Sequence, residues 1–207
     1  MRGTAAPAPI AKQPKPPHCL FVRVSLFTRW PEPGLAKTRL IPALGARGAA
    51  DLHRRLTEAT AATVRAAGIR LSVRSSGAAP GQFRDWLGDD LSVIDQGDGD
   101  LGVRLARAAQ DVPLLLLGAD IPGLRPGHLL AAAAVLRDHP AVIGPAMDGG
   151  YWLLGLAVPM PHLFSDVDWG SASVLATTLA RLPAGTRQLA RLSDLDTPDD
   201  LARWPGV

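Results

Sequence analysis

The chain has 207 residues, 47% of them hydrophobic, with 22 basic and 19 acidic side chains and a formal net charge of +3. That is length enough for one domain with a real core. Arg2, Lys12 and Lys15 carry the whole excess within residues 1–17, so the remainder is neutral; with no basic run longer than the pair Arg54 and Arg55, composition excludes a nucleic-acid face.

The opening stretch, "MRGTAAPAPIAKQPKPP", is rich in proline and alanine and has no continuous apolar core. It reads as a disordered leader over residues 1–17, not a signal peptide, ahead of a single domain over residues 18–207. The lone Cys19 precludes an internal disulfide and a cysteine-built zinc site; a buried thiol in a reducing cytoplasm is expected. "CLFVRVSLF" (19–27) reads as a first strand, followed by a loop rich in proline and glycine. Residues 46–67 read as a helix stopped by Gly68, and "IRLSVRSS" (69–76) as a second strand. "QFRDWLG" is a short helix, and "LSVIDQ" (91–96) is a third strand running into "GDGDLG" and a helix over 101–110 with Asp100 as its N-cap. "VPLLLLGAD" (112–120) is the continuous apolar run of a strand buried on both faces.

Residues 125–139 read as a helix with Pro126 in its first turn. "AVIGPA" and "GYWLLGLAV" are strands around the turn "MDGG". A helix over 171–182 capped by Ser171, a strand over 186–192 and a short helix over 197–204 complete the chain. "LLAAAAVL" is too short to span a bilayer, so no membrane association is expected. The alternation of strands and helices predicts an α/β fold: a doubly wound, mostly parallel sheet with helices on both faces and ligands at the carboxyl ends of its strands.

Loops after strands carry the unusual residues. In "PGLAKTRL" (33–40), Gly34 frees the backbone, and Lys37 and Arg39 follow. Lys37 is the one lysine outside the leader in a chain that otherwise uses arginine, and a compact ammonium suits a phosphoryl oxygen. A solvated basic loop is the alternative, and Walker A spacing is absent. Gly97, Asp98 and Gly99 allow close approach to a flat ligand, although a helix-capping turn explains them as well. Asp120 stands at the tip of the apolar strand, suited to bridging Mg²⁺ and substrate phosphates, with a turn aspartate as the alternative. Asp148, Gly149 and Gly150 also read as an ordinary tight turn. In "DLDTPDDL" (194–201), Thr197 can cap the last helix, which leaves Asp196 available. Trp152 and Trp169 follow these loops; packing is the first reading of both, and stacking on a base or sugar is the alternative, for which Trp169 is the candidate. The histidines lack zinc spacing, and no G-x-S-x-G elbow is present.

In order, P-G-x-x-K-T-R-L, Q-G-x-G-x-L-G-x-R, G-x-D-x-P-x-L, G-P-x-x-D-G-G-Y and D-x-D-T-P-x-D-L run from residue 33 to 201. This series resembles the small bacterial arsenosugar-biosynthesis-type glycosyltransferases of the GT-A, nucleotide-diphospho-sugar transferase superfamily. Trp30, "GAD" before Ile121 and "WGSAS" (169–173) depart from that pattern. The resemblance implies a GT-A-like fold and a cytoplasmic, Mg²⁺- or Mn²⁺-dependent glycosyltransferase taking a nucleotide-activated sugar and a small-molecule acceptor. Nucleotidyl transfer with pyrophosphate release is the alternative, and a non-catalytic nucleotide-binding domain a third; a homodimer is allowed for. It places the metal on Asp120 and Asp196, and the phosphates by Gly34, Lys37 and Arg39. Base and ribose fall near Gly97, Asp98 and Gly99. Asp148, Gly149 and Gly150 fall on the acceptor side; Asp120, Lys37 and Asp148 are the catalytic candidates, with Asp148 as the base if a sugar is transferred and no base needed for nucleotidyl transfer.

Overall fold

The computed structural model describes residues 22–206. The leader, Cys19 and the start of the expected first strand lie outside the described residues. Seven strands form one sheet in the order β3-β2-β1-β4-β6-β5-β7. They are β1 Arg23–Arg29, β2 Arg70–Ser76, β3 Ser92–Asp95, β4 Leu114–Leu117, β5 Ala141–Pro145, β6 Tyr151–Leu156 and β7 Arg187–Gln188. β6 runs antiparallel to both neighbours, β4 and β5; the other pairings are parallel. The expected strand over 186–192 shrinks to two residues, with a single further bridge from Leu192 to Ala146.

The helices are α1 Ile41–Ala66, α2 Pro80–Leu87, α3 Leu101–Ala108, α4 Pro126–Val135, α5 Val174–Arg181 and α6 Pro198–Leu201. In α1 the buried residues Leu52, Leu56, Thr60 and Val64 recur every four positions, the stripe of a helix lying on a sheet. The helix begins before residue 46, because Gly45 takes a left-handed φ of 69° and kinks it without ending it. Asp100 caps α3 as expected, accepting the Val103 N–H through Oδ1 at 2.9 Å. The expected cap on α5 moves: Ser171 bonds Ser173 through their hydroxyls at 2.7 Å, and the helix starts at Val174.

Alternation along the strands divides the core into two layers. Val24, Leu26, Leu115 and Leu117 meet Val64 of α1, Phe83 of α2 and Leu129 of α4. Leu114, Leu116, Leu154 and Leu156 face the other way, onto Leu105 of α3 and Leu175 of α5. All four leucines of β4 are buried, each contributing about 1.5–3 kcal/mol relative to exposure. The α/β architecture with helices on both faces follows from this division.

The sheet is tightly packed where β5 meets β6. A Cβ on Gly144 would lie 2.3 Å from the Trp152 ring, which is itself pinned by donation from Nε1 to the Ala190 carbonyl at 3.2 Å. Gly144→Ala is expected to lower unfolding free energy by about 1–3 kcal/mol, read from urea denaturation. An unchanged midpoint would show that the ring has somewhere to go.

Candidate active site

β1, β2, β3 and β4 are parallel, and β5 runs with β4 because β6 opposes both. Their carboxyl ends therefore share one edge of the sheet. β6 enters the sheet at that same edge through Tyr151 and Trp152. The strand order reverses between β1 and β4, so a crevice opens there, the place where open α/β sheets hold ligands.

Lys37 sits at this edge in a left-handed conformation, φ 48° and ψ 46°. Its side chain is only 6% exposed. Nζ donates to the Leu195 carbonyl at 2.6 Å, to Asp196 Oδ1 at 3.3 Å and to Asp120 Oδ2 at 3.4 Å. Three acceptors meet the three N–H groups of one ammonium. Leu195 returns the link, its N–H donating to the Asp120 carbonyl at 2.9 Å. Arg39, largely exposed, takes the other oxygen of Asp196 at 2.8 Å. Asp200 fixes this last turn: its Oδ2 accepts the Thr197 N–H, the Thr197 hydroxyl and the Asp196 N–H. Burial works against the Asp200 charge, but these bonds and Arg203 outweigh it and hold its carboxyl below the usual range.

Two cavities flank Asp120. One, of about 240 Å³, is lined by Asp120, Asp148, Gly150, Trp169 and Asp194 among a mostly apolar wall. The other, of about 250 Å³, is lined by the ends of β1 and β2 together with Lys37, His53, Gln96 and again Asp120. The sequence-derived candidates divide accordingly. Asp120, Asp148, Gly150 and Trp169 come together in the first cavity, and Lys37 joins Asp120 in the second. Gly34, Arg39, Gly149 and Asp196 line neither.

Gly97, Asp98 and Gly99 also line neither cavity. Their small size has a packing reason: a Cβ on Gly97 would strike the Arg107 guanidinium at 2.5 Å, and one on Gly99 would strike Val103 at 2.8 Å. The Asp98 carbonyl accepts Arg107 Nη2 at 3.1 Å. The residues that reach the cavities are their neighbours Gln96 and Leu101. Gln96 is buried, with Nε2 donating to the carbonyls of Thr28 and Arg74. His53 was also missed. Its Nε2 lies 3.1 Å from the Arg29 carbonyl and 3.2 Å from the Thr28 hydroxyl, and the carbonyl requires Nε2 to carry a proton. Burial lowers its pKa, so it is held as the neutral ring.

The largest omission is Asp194. Desolvation and the nearby Asp148 carboxylate raise its pKa from 3.8 to about 6. Between those values the folded chain holds more proton than the unfolded one, so stability falls as pH rises through that window. Asp194→Asn is therefore expected to melt higher than the parent at about pH 7.5, with the advantage vanishing near about pH 4. An equal or lower Tm at the higher pH would contradict this.

The donor chemistry suits Mg²⁺ or Mn²⁺: carboxylate oxygens, with Mg²⁺ characteristically taking one or two carboxylates plus substrate phosphates and water. Asp120 and Asp194 share a cavity and fit that description, whereas both oxygens of Asp196 are engaged by Lys37 and Arg39. Among the described residues no three metal-capable side chains form a complete cage.

The family model DUF2064, described as an uncharacterized protein conserved in bacteria, matches residues 48–171. The chain belongs to the DUF2064 family. In this DUF2064 chain the matched segment carries Asp120 and Asp148, while Lys37, Asp194 and Asp196 lie outside it. No curated protein matches. A provisionally named nucleotide-diphospho-sugar transferase of Desulfovibrio desulfuricans G20 is 30% identical, over 85% of this chain and 82% of its own, with a TM-score of 0.80. Two more distant structures share the fold. The 4-diphosphocytidyl-2C-methyl-D-erythritol synthase of Anaerococcus prevotii DSM 20548 is 12% identical, covering 89% and 94%, with a TM-score of 0.54. The glucosyl-3-phosphoglycerate synthase of Mycobacterium tuberculosis, in complex with Mn²⁺, UDP and glucosyl-3-phosphoglycerate, is 10% identical, covering 89% and 75%, with a TM-score of 0.53. The architecture of this DUF2064 chain is that of the nucleotide-diphospho-sugar transferases. Among its described residues no helix is long and apolar enough to cross a membrane.

Proposed function

We propose that the chain is a metal-dependent transferase that moves a glycosyl group from a nucleotide-diphosphate sugar to a small acceptor. The observation that carries this reading is the place of Asp120, a wall common to two adjoining cavities. The cavity with Lys37 takes the donor, its ammonium beside the diphosphate. Its neighbour, with Asp148 and Asp194, takes the acceptor. The sugar lies across Asp120, so that donor and acceptor meet there in fixed orientation.

Asp120 and Asp194 would hold a divalent ion, which when bound would supply positive charge against the departing phosphate oxygen. The acceptor hydroxyl oxygen bonds to the anomeric carbon as the bond from that carbon to the diphosphate breaks, its electron pair leaving with the nucleoside diphosphate. Asp148 receives the hydroxyl proton. The Gly150 N–H holds its Oδ1 at 2.8 Å, which fixes the carboxylate toward the cavity. Asp196 holds Lys37 and Arg39 in place and leaves the metal to its neighbour Asp194. The motif order supports the arsenosugar-biosynthesis-type branch of the superfamily.

The test is product analysis with sugar nucleotides and nucleoside triphosphates, each with and without Mn²⁺ or Mg²⁺. Metal-dependent release of nucleoside diphosphate from a sugar nucleotide is expected. Pyrophosphate released from a triphosphate would instead establish nucleotidyl transfer, and metal-independent binding without turnover would establish a binding domain.

A further inference from the structure

We infer that the acceptor is not an anion: the cavity with Asp148 and Asp194 selects a neutral or cationic alcohol or amine with an apolar, ring-sized body, and rejects phosphorylated or carboxylated acceptors. This rests on the two-cavity reading above.

Charge comes first. Asp120, Asp148 and Asp194 all line this cavity, and among the described residues no lysine, arginine or histidine does. The cations at this edge are committed elsewhere. Lys37 lines the other cavity and Arg39 pairs with Asp196. Arg191 donates to the Ala146 carbonyl at 3.1 Å but is not part of the lining. Asp120 is paired with Lys37 at 3.4 Å, which leaves Asp148 and Asp194 as the uncompensated charges of the lining; a divalent ion held by Asp120 and Asp194 would bring the whole no further than neutral. An incoming phosphate would meet Asp148 and Asp194 with no guanidinium or ammonium to receive it, whereas sites built for phosphates present such groups. Like charges placed together across a contact cost several kcal/mol.

Shape and polarity come next. The apolar wall includes Leu105 and Leu116 and four aromatic rings, Phe27, Tyr151, Trp152 and Trp169. The rings are four of eighteen lining residues, in a chain in which only 5% of residues are aromatic. Aromatic faces pack against rings and branched carbon and attract cations, which agrees with the carboxylates beside them. Met147, between the lining residues Ala146 and Asp148, is exposed, as is Leu101 at the junction of the cavities. The approach is apolar too.

The consequence for chemistry is direct. A neutral alcohol needs a base to lose its proton as the new bond forms, and Asp148 is there to take it. A phosphate acceptor would need none. The charge of this cavity thus matches transfer to a hydroxyl or amine and opposes transfer to a phosphate.

Benzyl alcohol, benzylamine and benzyl phosphate share one body and differ in charge. Titrated into the protein with saturating UDP and Mn²⁺, they report through tryptophan fluorescence, since Trp152 and Trp169 line the cavity. The alcohol and amine are expected to bind, and the phosphate at least roughly tenfold more weakly. The variant Asp148→Asn, which leaves both metal-side carboxylates in place, is expected to narrow that gap. Phosphate binding as tight as that of the amine would overturn the inference, as would failure of all three to bind or a gap unchanged in the variant. UDP affinity, measured separately by calorimetry, answers for the donor reading: its absence would sink that reading whatever the acceptor series gave.

Discussion

Asp120→Asn is expected to cut turnover by about 10²–10³-fold, because it removes a carboxylate that would hold the divalent ion against the reacting phosphate while leaving the shape intact. UDP affinity should lose its dependence on Mn²⁺. Stability should barely move, since Lys37 keeps its short bond to the Leu195 carbonyl and its contact with Asp196. Calorimetric titration of UDP with and without Mn²⁺ checks this. Undiminished metal-dependent affinity in the variant would take Asp120 out of the site.

Lys37→Met should do something different. It leaves Asp120 and Asp196 facing each other without a counter-charge and deprives the Leu195 carbonyl of its donor. Breaking a buried pair costs about 3–5 kcal/mol; here the figure is nearer about 2–3, because both carboxylates remain partly in water. Diphosphate binding should suffer far more than nucleoside binding, measured at a temperature where the variant is folded. Lys37→Arg should not restore stability: three acceptors converge on a point, which suits an ammonium and not a planar fork. Full stability in either variant would mean that the ammonium makes no net contribution where it sits.

The lysine shows how far the sequence could be read. Its singularity marked it, and its neighbourhood with Asp120 and Arg39 was expected. What the sequence could not convey is that the ammonium touches the carboxylates directly, because that contact joins residues 83 and 159 positions apart. The alternating strands and the buried run of β4 exposed the α/β fold, since periodicity is a local property. β7 faded because its pairing depends on β5 alone. Gly97 and Gly99 have a packing reason of their own against Arg107 and Val103, and a glycine required by a neighbouring side chain looks the same in sequence as one required by a substrate. Asp194 and Asp196 occupy equivalent positions in "DLD"; only the orientation of the chain past Asp120 decides which of them meets the cations and which the cavity. Gln96 stood at the head of the Q-G-x-G motif without a role of its own, and His53 gave no signal, since a buried polar side chain reads as surface until its partners are known.

The one reversed strand has an evolutionary consequence. Because β6 enters the sheet at the edge where the other strands end, the short hairpin at residues 146–150 borders the cavity with Asp148 and Asp194 and stays clear of the cavity with Lys37. If these cavities take acceptor and donor as proposed, lengthening or recomposing that hairpin would re-tailor one substrate while the other remained recognised as before. Diversification within the family should therefore concentrate there, with new acceptors arising by loop exchange on an unchanged donor platform.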